Sequence, residues 1–559
     1  MVKRLEDLAP DGLLARARKA ADLVDGASRV RLFCHYDPDG TTSASILARA
    51  LMRRGKRIHA SMAHALDSAS AERLKQEQNE LLIVADMGSG QLDLLEGLAY
   101  PVIVLDHHRP VRDSERIAHV NPHFDGIDGA REMCGATTTW LFTLVIDEAN
   151  WDLAGTAIAG AISDKQAVGG FVGLNAALFA EAVERKIVVP ERRLALRDMP
   201  LAKAVASSVE PYFRGLSGRP SDAEAFLRGA GFDPQANLRT MDAATRRRLT
   251  SVLAARLVEQ GAAPEALDSL VEDRYWIEPD QMYAQDLEAY VNGCDRLGQE
   301  GLGMAVCLGD REALSKAEGL LEQYTSRLLG YLVSLESQGL FPKKHIQFFY
   351  CDDASLAGSV SGTGMQFFFD QSKPVLGLSV MDGQTKVSAR GTRDQIARGL
   401  DLAVTLREAA MAAGGNGGGH NIASGATIPK GKEDRFLAQV DEIVGQQLGS
   451  TKAQEVSSRR LTSRASRSVF RVGDSRTFTF RSSRASSFSS SVSGLTGRRM
   501  IARRCITNSF TCSTNMSVCR NPLLMIRNSR PSRRTAPSPL LSSMNFWMTF
   551  ASVPMAVGL

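Results

Sequence analysis

The stretch Val102-Ile-Val-Leu-Asp-His-His-Arg109 places an acid and two imidazoles directly after four apolar residues. Four consecutive apolar side chains predict a strand that is buried on both faces, as in a parallel sheet. Asp106, His107 and His108 would then lie together at the point where the strand leaves the sheet. Removing such groups from water costs free energy unless something pairs with them, and a divalent cation would do so. We therefore expect a buried strand that leads into a metal site.

Two other apolar segments end in the same way. Arg29-Val-Arg-Leu-Phe-Cys34 leads into His35-Tyr-Asp37-Pro-Asp39-Gly40, and Leu81-Leu-Ile-Val-Ala85 leads into Asp86. Segments with a helical pattern separate these strands, which predicts an α/β domain with a parallel sheet. Because ligands of such sheets bind at the carboxyl ends of the strands, the acids lie where a site is expected.

These acids and imidazoles suit two divalent cations that activate water for in-line attack on phosphorus. The mixture of histidine and aspartate favours Mn²⁺, with Mg²⁺ as the alternative. The candidate ligands are His35, Asp37, Asp39, Asp86, His107 and Asp164. The first three would alternate along an extended segment and divide between the two ions, which Asp86 would bridge. His108 and Asp106 are the candidate catalytic residues, since His108 would contact the substrate phosphate and Asp106 would orient an imidazole.

The composition is typical of a soluble globular protein, with 44% hydrophobic and 23% charged residues in a chain of 559. The sequence contains no apolar run of about 18 residues, so we expect no membrane span. Because residues 1–7 lack the apolar core of a signal peptide, we expect the protein in the cytoplasm. The eight cysteines form no CxxC pair, so neither a zinc site nor a disulfide framework is indicated.

The net charge of +5 combines two unlike parts of the chain. From Ser458 to the end there are 17 Arg and one Asp but no Lys or Glu, which leaves 50 basic and 61 acidic residues in 1–457. An acidic body would bind nucleic acid only through a local basic groove. The tail is either a basic disordered arm for nucleic acid or a frameshifted end. We favour the second interpretation, because Lys and Glu are absent while Trp, Met and Cys occur sporadically.

The patterns divide the chain into four segments. They are an α/β metal-site domain at 1–175, a mainly helical connecting region at 176–335, a smaller α/β domain at 336–448 and a low-complexity Ser/Arg-rich tail at 449–559. In the smaller domain we expect strands at 346–350, 364–369, 374–380 and 385–390. A helix over 394–413 would lead into the glycine-rich loop Gly414–His420, and a last helix would span 432–448.

The motifs of the first domain resemble a known superfamily. In order along the chain, they are His35–Gly40, Asp86, Asp106–His108 and Asp164, and they resemble the four motifs of the DHH phosphoesterases. Gly417-Gly-Gly-His420, followed by Asn421-Ile-Ala-Ser-Gly425, resembles the glycine-rich signature of the DHH-associated domain. The resemblance covers about 30–175 and 340–445.

Two further motifs are most similar to RecJ-like single-strand exonucleases of the archaeal type. They are Asn121-Pro122 with Asp125-Gly126, and Asn292-Gly-Cys-Asp295-Arg296. The second departs from the pattern Asn-Ala-x-Gly-Arg, because Asp295 stands where the pattern has glycine. The resemblance implies release of mononucleotides from one end of single-stranded DNA or RNA with 5′→3′ polarity, and it suggests replication or repair proteins as partners. It also implies that the six candidate ligands hold the metals and that His108 contacts the phosphate.

The smaller domain would then bind the nucleic acid. Backbone N–H groups of Gly417, Gly418 and Gly419 could approach a phosphate, with His420 as a further donor. Arg390 could clamp a phosphate through two hydrogen bonds, and the remaining candidates are Asn292 and Arg296. A plain flexible loop and a solvated arginine are the alternatives for the first two features.

Two other functions remain open. One is a phosphoesterase for small substrates, such as short oligoribonucleotides, cyclic dinucleotides or a nucleotide 3′-phosphate. A long groove favours polymers and a closed pocket favours small substrates. The other is a non-catalytic replisome scaffold, which the presence of all the candidate ligands disfavours.

Overall fold

The computed structural model describes residues 2–465, with side chains described as far as residue 449. Its strands are β1 (Arg29–His35), β2 (Arg57–Ala63), β3 (Leu81–Ala85), β4 (Val102–Leu105), β5 (Ile117–Val120), β6 (Val188–Leu194), β7 (Val271–Ile277), β8 (Met282–Tyr283), β9 (Phe341–Pro342), β10 (Gln347–Tyr350), β11 (Val375–Val380), β12 (Gln384–Arg390), β13 (Asn416–Gly419) and β14 (Ala423–Pro429). Its α-helices are α1 (Asp11–Asp25), α2 (Pro38–Arg53), α3 (Ser68–Gln76), α4 (Leu92–Glu96), α5 (Gly135–Ile146), α6 (Ala154–Ser163), α7 (Gly173–Glu184), α8 (Leu201–Ala206), α9 (Pro220–Gly229), α10 (Ala243–Glu259), α11 (Pro264–Asp268), α12 (Ala284–Arg296), α13 (Glu300–Cys307), α14 (Arg311–Gln338), α15 (Ala357–Phe367), α16 (Arg393–Ala397), α17 (Leu402–Ala412) and α18 (Glu433–Ala465). Short 3₁₀ helices occur at Leu5–Asp7, Pro122–Asp125 and Glu148–Leu153.

The N-terminal sheet has five strands, all parallel, in the order β2-β1-β3-β4-β5. Every residue of β3 and β4 is buried. Along β3, Ile83 packs into one hydrophobic cluster, whereas Leu82 and Val84 pack into another on the opposite face. Burial on both faces explains why these strands are apolar throughout, and the sheet confirms the predicted α/β class.

The connecting region is mostly helical, as predicted, but it also contains an antiparallel sheet in the order β6-β7-β8 that the sequence does not predict. Its strands lack apolar alternation, because several positions are charged. Arg193 and Arg274 are nevertheless buried, since each pairs at 2.8 Å with an aspartate, Asp198 and Asp286 respectively. Strands stabilised by such tertiary ion pairs carry no periodic signal in the sequence.

The C-terminal sheet has six strands in the order β13-β14-β12-β11-β10-β9. β10 and β11 are parallel, and the other neighbouring strands are antiparallel. Residues Gly414–His420 are not simply a loop, because Asn416–Gly419 forms the edge strand β13 and pairs with β14. The helix predicted over 394–413 is two helices, α16 and α17, with Gly399 at a positive φ of 99° between them.

The strand predicted at 364–369 is wrong, because helix α15 continues to Phe367. The run of three phenylalanines suggested a strand, but Gly364 lies directly under the Phe369 ring. A Cβ at Gly364 would be 2.0 Å from Phe369 Cε2. Glycine is therefore required by tertiary packing, and the local pattern does not mark a strand.

The Ser/Arg-rich tail is predicted from 449 onward, and its residues 466–559 lie outside the described part of the chain. The hypothesis of a frameshift therefore stays a prediction. Helix α18 extends beyond the predicted end at 448, to Ala465. Within residues 2–465, no helix combines the length and apolar character needed to cross a bilayer.

We expect Gly364→Ala to lower the melting temperature, because the added methyl group displaces the Phe369 ring at a cost of roughly 1–3 kcal/mol, typical of overpacking. The control is Gly319→Ala in α14, where nothing lies within 4 Å of the added Cβ. There the higher helix propensity of alanine stabilises by up to about 1 kcal/mol. Thermal denaturation followed by circular dichroism compares the two, and equal shifts would contradict the packing argument.

Candidate active site

Three adjacent strands of the N-terminal sheet end beside one another. β1 ends at His35, β3 is followed by Asp86, and β4 is followed by Asp106. The carboxyl ends of parallel strands lie at one edge of the sheet, where ligands bind. Acids and imidazoles from separate stretches of the sequence therefore meet at this edge.

The turn after β1 differs from the prediction. Helix α2 begins at Pro38, and Asp37 is its N-cap residue, whose carboxylate accepts a hydrogen bond from Gly40 N at 3.1 Å. An N-cap aspartate followed by proline is a typical helix start. The predicted extended segment through Asp39 is therefore wrong. His35 and Asp37 have extended backbone, whereas Asp39 lies in the first turn of the helix.

Asp86 lies between two groups of side chains. On one side, His35 Nδ1 is 3.1 Å from Asp37 Oδ2 and 3.4 Å from Asp86 Oδ2. On the other side, His107 Nε2 is 3.2 Å from Asp86 Oδ1. Asp86 thus presents one carboxylate oxygen to each group, which is what a ligand shared by two cations requires.

The second group consists of Asp39, His107 and Asp164. His107 Nε2 is 3.8 Å from Asp39 Oδ2, and His107 Nδ1 is 3.8 Å from Asp164 Oδ2. His107 Nδ1 donates to the carbonyl of Gly129 at 2.7 Å. Because Nδ1 donates this hydrogen bond, a neutral His107 ring carries its lone pair on Nε2, which faces Asp86 and Asp39. A histidine that binds a metal through Nε2 needs this tautomer.

The backbone holds Asp86 in a conformation that most residues avoid. Its φ is 59°, in the left-handed region, where a non-glycine residue is uncommon. The start of helix α5 comes so close that a Cβ at Gly135 would lie 2.5 Å from Asp86 Oδ1. The absence of a side chain at Gly135 is therefore what leaves room for the Asp86 carboxylate.

The site contains four carboxylates and only two imidazoles. The N-terminus of α5 offsets part of this charge, because Gly135 N and Ala136 N donate to Asp39 at 2.7 and 2.8 Å. Burial, together with Asp86 and Asp164, still raises the pKa of Asp39 well above its usual value. Burial opposes a charged His35 imidazole, but Asp37 and Asp86 raise the pKa of His35 to about 10. The cluster therefore attracts positive charge, as protons or as metal ions.

The residues present fit divalent cations. Among the described residues, Asp86 Oδ1 and His35 Nδ1 are buried atoms whose contacts at 3.2 and 3.1 Å lack hydrogen-bond geometry. Buried polar atoms are rarely left unpaired, because doing so costs roughly 1–3 kcal/mol each. Carboxylate oxygen and imidazole nitrogen together suit Mn²⁺ and related ions. Both groups also bring their candidate ligand atoms within 4.8 Å of one another.

Asp106 occupies a different position, because hydrogen bonds already surround it. Its Oδ1 accepts from His107 N at 2.8 Å, His108 N at 3.2 Å and His108 Nδ1 at 2.8 Å, while Oδ2 accepts from Ser89 N at 2.9 Å. Its side chain is buried, whereas that of His108 is 57% exposed. Asp106 can therefore orient His108 with its Nε2 edge towards the solvent.

A cavity of about 1300 Å³ opens beside the cluster. Asp37, Asp39 and Asp164 lie in its wall, and so do Asn292, Arg296 and Arg390. The cavity thus connects part of the cluster of candidate metal ligands with three of the candidate substrate-binding residues. Helix α14 and the small side chains of α15 line it further.

Arg390 and Arg296 are two of the basic residues that line this cavity, and the others are Lys165, Arg197 and Lys203. Arg296 Nε donates to Asn292 Oδ1 at 3.2 Å, and Arg390 lies along helix α15, 3.6 Å from the position of a Cβ at Gly358. Within the part of the chain that the structure describes, neither guanidinium forms an ion pair with a carboxylate. Burial, with Arg296 as a second cause, lowers the pKa of Arg390. Two neighbouring guanidinium groups outside any ion pair could bind an anion, although Arg296 also acts on the nearby Glu288 carboxyl and opposes the rise of its pKa.

The cavity also contains charged residues that the sequence analysis missed. Glu288 lies one helical turn before Asn292 on α12, and burial raises its pKa to about 7 although Lys165 opposes this shift. Lys165 follows Asp164 and lies 4.0 Å from Glu210. The spacing of four residues between Glu288, Asn292 and Arg296 marks one helical face, and it could have drawn attention to Glu288.

Gly417, Gly418, Gly419 and His420 lie outside the lining of this cavity. Gly419 pairs with Ser424, and His420 N donates to Ala423 O at 2.9 Å, so the segment closes a β-hairpin. In the sheet, Ala423 pairs with Arg390. The hairpin is thus at the same end of the sheet as Arg390, one strand away, and a role in phosphate binding stays a prediction.

Two families match parts of the chain. Residues 29–162 match the DHH family, N-terminal domain, and residues 357–446 match the DHHA1 domain. An uncharacterized protein of Methanocaldococcus jannaschii is 33% identical over 428 residues, which cover 75% of this chain and 94% of that protein. The single-stranded-DNA-specific exonuclease RecJ of Thermus thermophilus is 30% identical over 203 residues, or 33% of this chain and 30% of RecJ.

Two solved structures are similar in architecture to this chain. CDC45 from Entamoeba histolytica has a TM-score of 0.54 at 10% identity, with 78% of this chain and 97% of that chain covered. At this identity the similarity shows a common fold. RecJ from T. thermophilus in complex with Mn²⁺ has a TM-score of 0.49 at 19% identity, with 78% of this chain and 55% of that chain covered.

We expect Gly135→Ala to weaken Mn²⁺ binding by at least about 10-fold, because the new methyl group pushes the Asp86 carboxylate away from its position between the two groups. Isothermal titration calorimetry with Mn²⁺ alone measures this effect. Gly90→Ala is the control, since nothing lies within 4 Å of its added Cβ. Unchanged Mn²⁺ affinity in Gly135→Ala would show that this contact does not position a ligand.

Proposed function

Because this chain belongs to the DHH family of phosphoesterases, carries a DHHA1 domain and is related to RecJ, we propose that it degrades single-stranded nucleic acid from one end. The reaction is hydrolysis of a terminal phosphodiester, assisted by two divalent cations, with 5′→3′ polarity. The observation that carries this proposal is the cavity that joins the metal cluster to Arg296 and Arg390. We assign residues 1–175 to the DHH domain, 176–335 to the connecting region and 336–448 to the DHHA1 domain.

The cations would be held by the two groups that share Asp86. His35 and Asp37 would complete one group, and Asp39, His107 and Asp164 the other. Mn²⁺ is the expected ion, because imidazole accompanies carboxylate in both groups. When bound, the ions supply Lewis-acid activation of water and of the phosphoester.

His108 would contact the oxygen atoms of the scissile phosphate. Asp106 holds its Nδ1, which leaves the exposed Nε2 edge free to donate. Its hydrogen bond to Asp106 raises the pKa of His108, so the ring favours the cationic form that can donate at both nitrogens. A charged donor at this place would stabilise the negative charge that grows on the phosphate in the transition state.

Arg296 and Arg390 would bind a second phosphate of the same strand. Within the described residues neither guanidinium forms an ion pair at 4 Å or less, and a phosphate would relieve the repulsion between them. A substrate that reaches from the metal cluster to this pair needs at least two phosphates. This requirement favours an oligonucleotide or the end of a longer strand over a monoester, and the strand itself could be DNA or RNA.

A second candidate is a phosphoesterase for oligoribonucleotides of a few residues. The cavity of about 1300 Å³ is larger than the roughly 300–1000 Å³ of common small-molecule sites, and a short oligomer would fit within it. A replisome scaffold is less favoured, because the candidate ligands are all present and the likeness to CDC45 concerns the fold. A nuclease of this kind would nevertheless work beside replication or repair proteins.

We expect Mn²⁺-dependent release of mononucleotides from end-labelled single-stranded DNA or RNA. Asp86→Ala should reduce the rate by at least about 100-fold, since it removes the shared ligand, and His108→Ala should reduce it by a similar factor. Labels at either end determine the polarity in the same gel assay. Equal activity of the three proteins would refute the site, and cleavage confined to oligomers of two to five nucleotides would favour the second candidate.

Arg390→Ala should raise the KM for a single-stranded oligonucleotide by about 10- to 100-fold, the size expected for a lost charge-assisted hydrogen bond. It should leave hydrolysis of bis(p-nitrophenyl) phosphate unchanged, because this substrate has a single phosphate. Arg192→Ala is the control, since Arg192 is 64% exposed on β6 and pairs with Asp273. If Arg390→Ala impaired both substrates equally, the second phosphate site would be wrong.

A further inference from the structure

A buried hydrogen-bond network lies behind His108. At its centre is Ser89, in the loop after β3. Ser89 N donates to Asp106 Oδ2 at 2.9 Å, and its hydroxyl lies 2.8 Å from His119 Nε2. Asn121 Nδ2 donates to Ser89 Oγ and to the His108 carbonyl, both at 2.9 Å. Ser89, His119 and Asn121 are each at most 3% exposed.

The directions of these hydrogen bonds follow from their partners. The Asn121 side-chain oxygen accepts from His123 N at 3.0 Å, so its amide nitrogen must be the atom that faces Ser89 and His108. Ser89 Oγ receives this N–H, and its own proton is free to point at His119 Nε2. His119 can accept this bond at Nε2 in the tautomer that carries the ring proton on Nδ1, which lies 3.8 Å from Asp113 Oδ1.

His119 is suited to accept a hydrogen bond from Ser89, because a neutral imidazole ring keeps a lone pair on one of its nitrogens. Burial lowers the pKa of His119 to about 4 although Asp106 and Asp113 oppose the shift, and Arg16 lowers it further. The Arg16 guanidinium donates to the His119 carbonyl at 3.2 Å and pairs with Asp113. Strand β5, which carries His119, thus places a ring nitrogen that can accept a hydrogen bond beside Ser89.

We infer that Ser89 and His119 are positioning residues that fix His108 towards the substrate phosphate. The inference rests on the proposed function, which assigns that contact to His108. Through its N–H, Ser89 fixes the Asp106 carboxylate, and Asp106 in turn orients the His108 ring. Through its hydroxyl, Ser89 fixes the Asn121 amide, and Asn121 holds the His108 carbonyl.

His119 gives the Ser89 hydroxyl a single direction. Without an acceptor at Nε2, that hydroxyl would turn its proton elsewhere and no longer offer its lone pairs to Asn121. His108 would then keep its bond to Asp106 but lose the restraint on its backbone. A small displacement of a group that acts on the transition state reduces kcat by a large factor, because such contacts depend steeply on geometry.

The test compares His119→Leu with His119→Gln. Leucine removes the acceptor at similar size, whereas the glutamine side-chain oxygen can accept from Ser89. We expect His119→Leu to lower kcat on the single-stranded oligonucleotide by about 10-fold or more with little change in KM. His119→Gln should retain most of the activity. A loss of equal size in both variants would overturn the inference, as would full activity of His119→Leu.

A double-mutant cycle separates positioning from a general effect on folding. In a His108→Ala background, His119→Leu and Ser89→Ala should cause no further loss, because the residue through which they act is gone. Losses that add in full would overturn the inference. Ser361→Ala is the matched control, since Ser361 is equally buried and donates to Ala357 O within α15.

Two further measurements keep this inference distinct from the proposed function. Mn²⁺ affinity by calorimetry should be unchanged in Ser89→Ala and His119→Gln, since neither residue belongs to the metal groups, and a loss there would assign the network to metal binding instead. Full activity of His108→Ala would refute the phosphate role of His108 itself. An inactive His108→Ala with a normal His119→Leu would refute the positioning role alone.

Discussion

Repulsion among the four carboxylates of Asp37, Asp39, Asp86 and Asp164 is the constraint on which the rest of this structure depends. Two unit charges about 4 Å apart repel by roughly 4 kcal/mol near a protein surface. The net stability of a folded protein is only about 5–15 kcal/mol. A repulsion of that size would therefore be a large part of that stability if nothing offset it. Protons on the histidines or divalent cations between the groups provide the offset.

The fold supplies part of the compensation before any ion binds. Helix α5 turns its N-terminus towards Asp39, and helix α2 begins with Asp37 as its cap, so backbone N–H groups face the acids. The glycine at position 135 allows α5 to approach, and the left-handed backbone at Asp86 aims its carboxylate between the two histidines. Strain and close approach are concentrated where the chemistry would take place.

Helix α12 connects this edge with the second half of the molecule. It packs against α2 and α6 of the N-terminal domain and against α14 of the connecting region. Its polar face carries Glu288, Asn292 and Arg296 into the cavity that Arg390 enters from the C-terminal sheet. Helix α12 would thus set the distance between the metal groups and a substrate phosphate bound by the two arginines.

The sequence alone determined the parallel sheet and the positions of the acids, because buried strands are apolar throughout and their polar ends stand out. It also indicated the family through five separated motifs. It did not determine that Asp39 lies in a helix, that Ser89 and His119 stand behind His108, or that Gly364 lies under Phe369. Each of these depends on residues far apart in the chain, and no local period records such a contact. The tertiary structure alone brings Arg296 close to Arg390. It also forms the ion pairs that stabilise β6 and β7, and such contacts leave no periodic signal in the sequence.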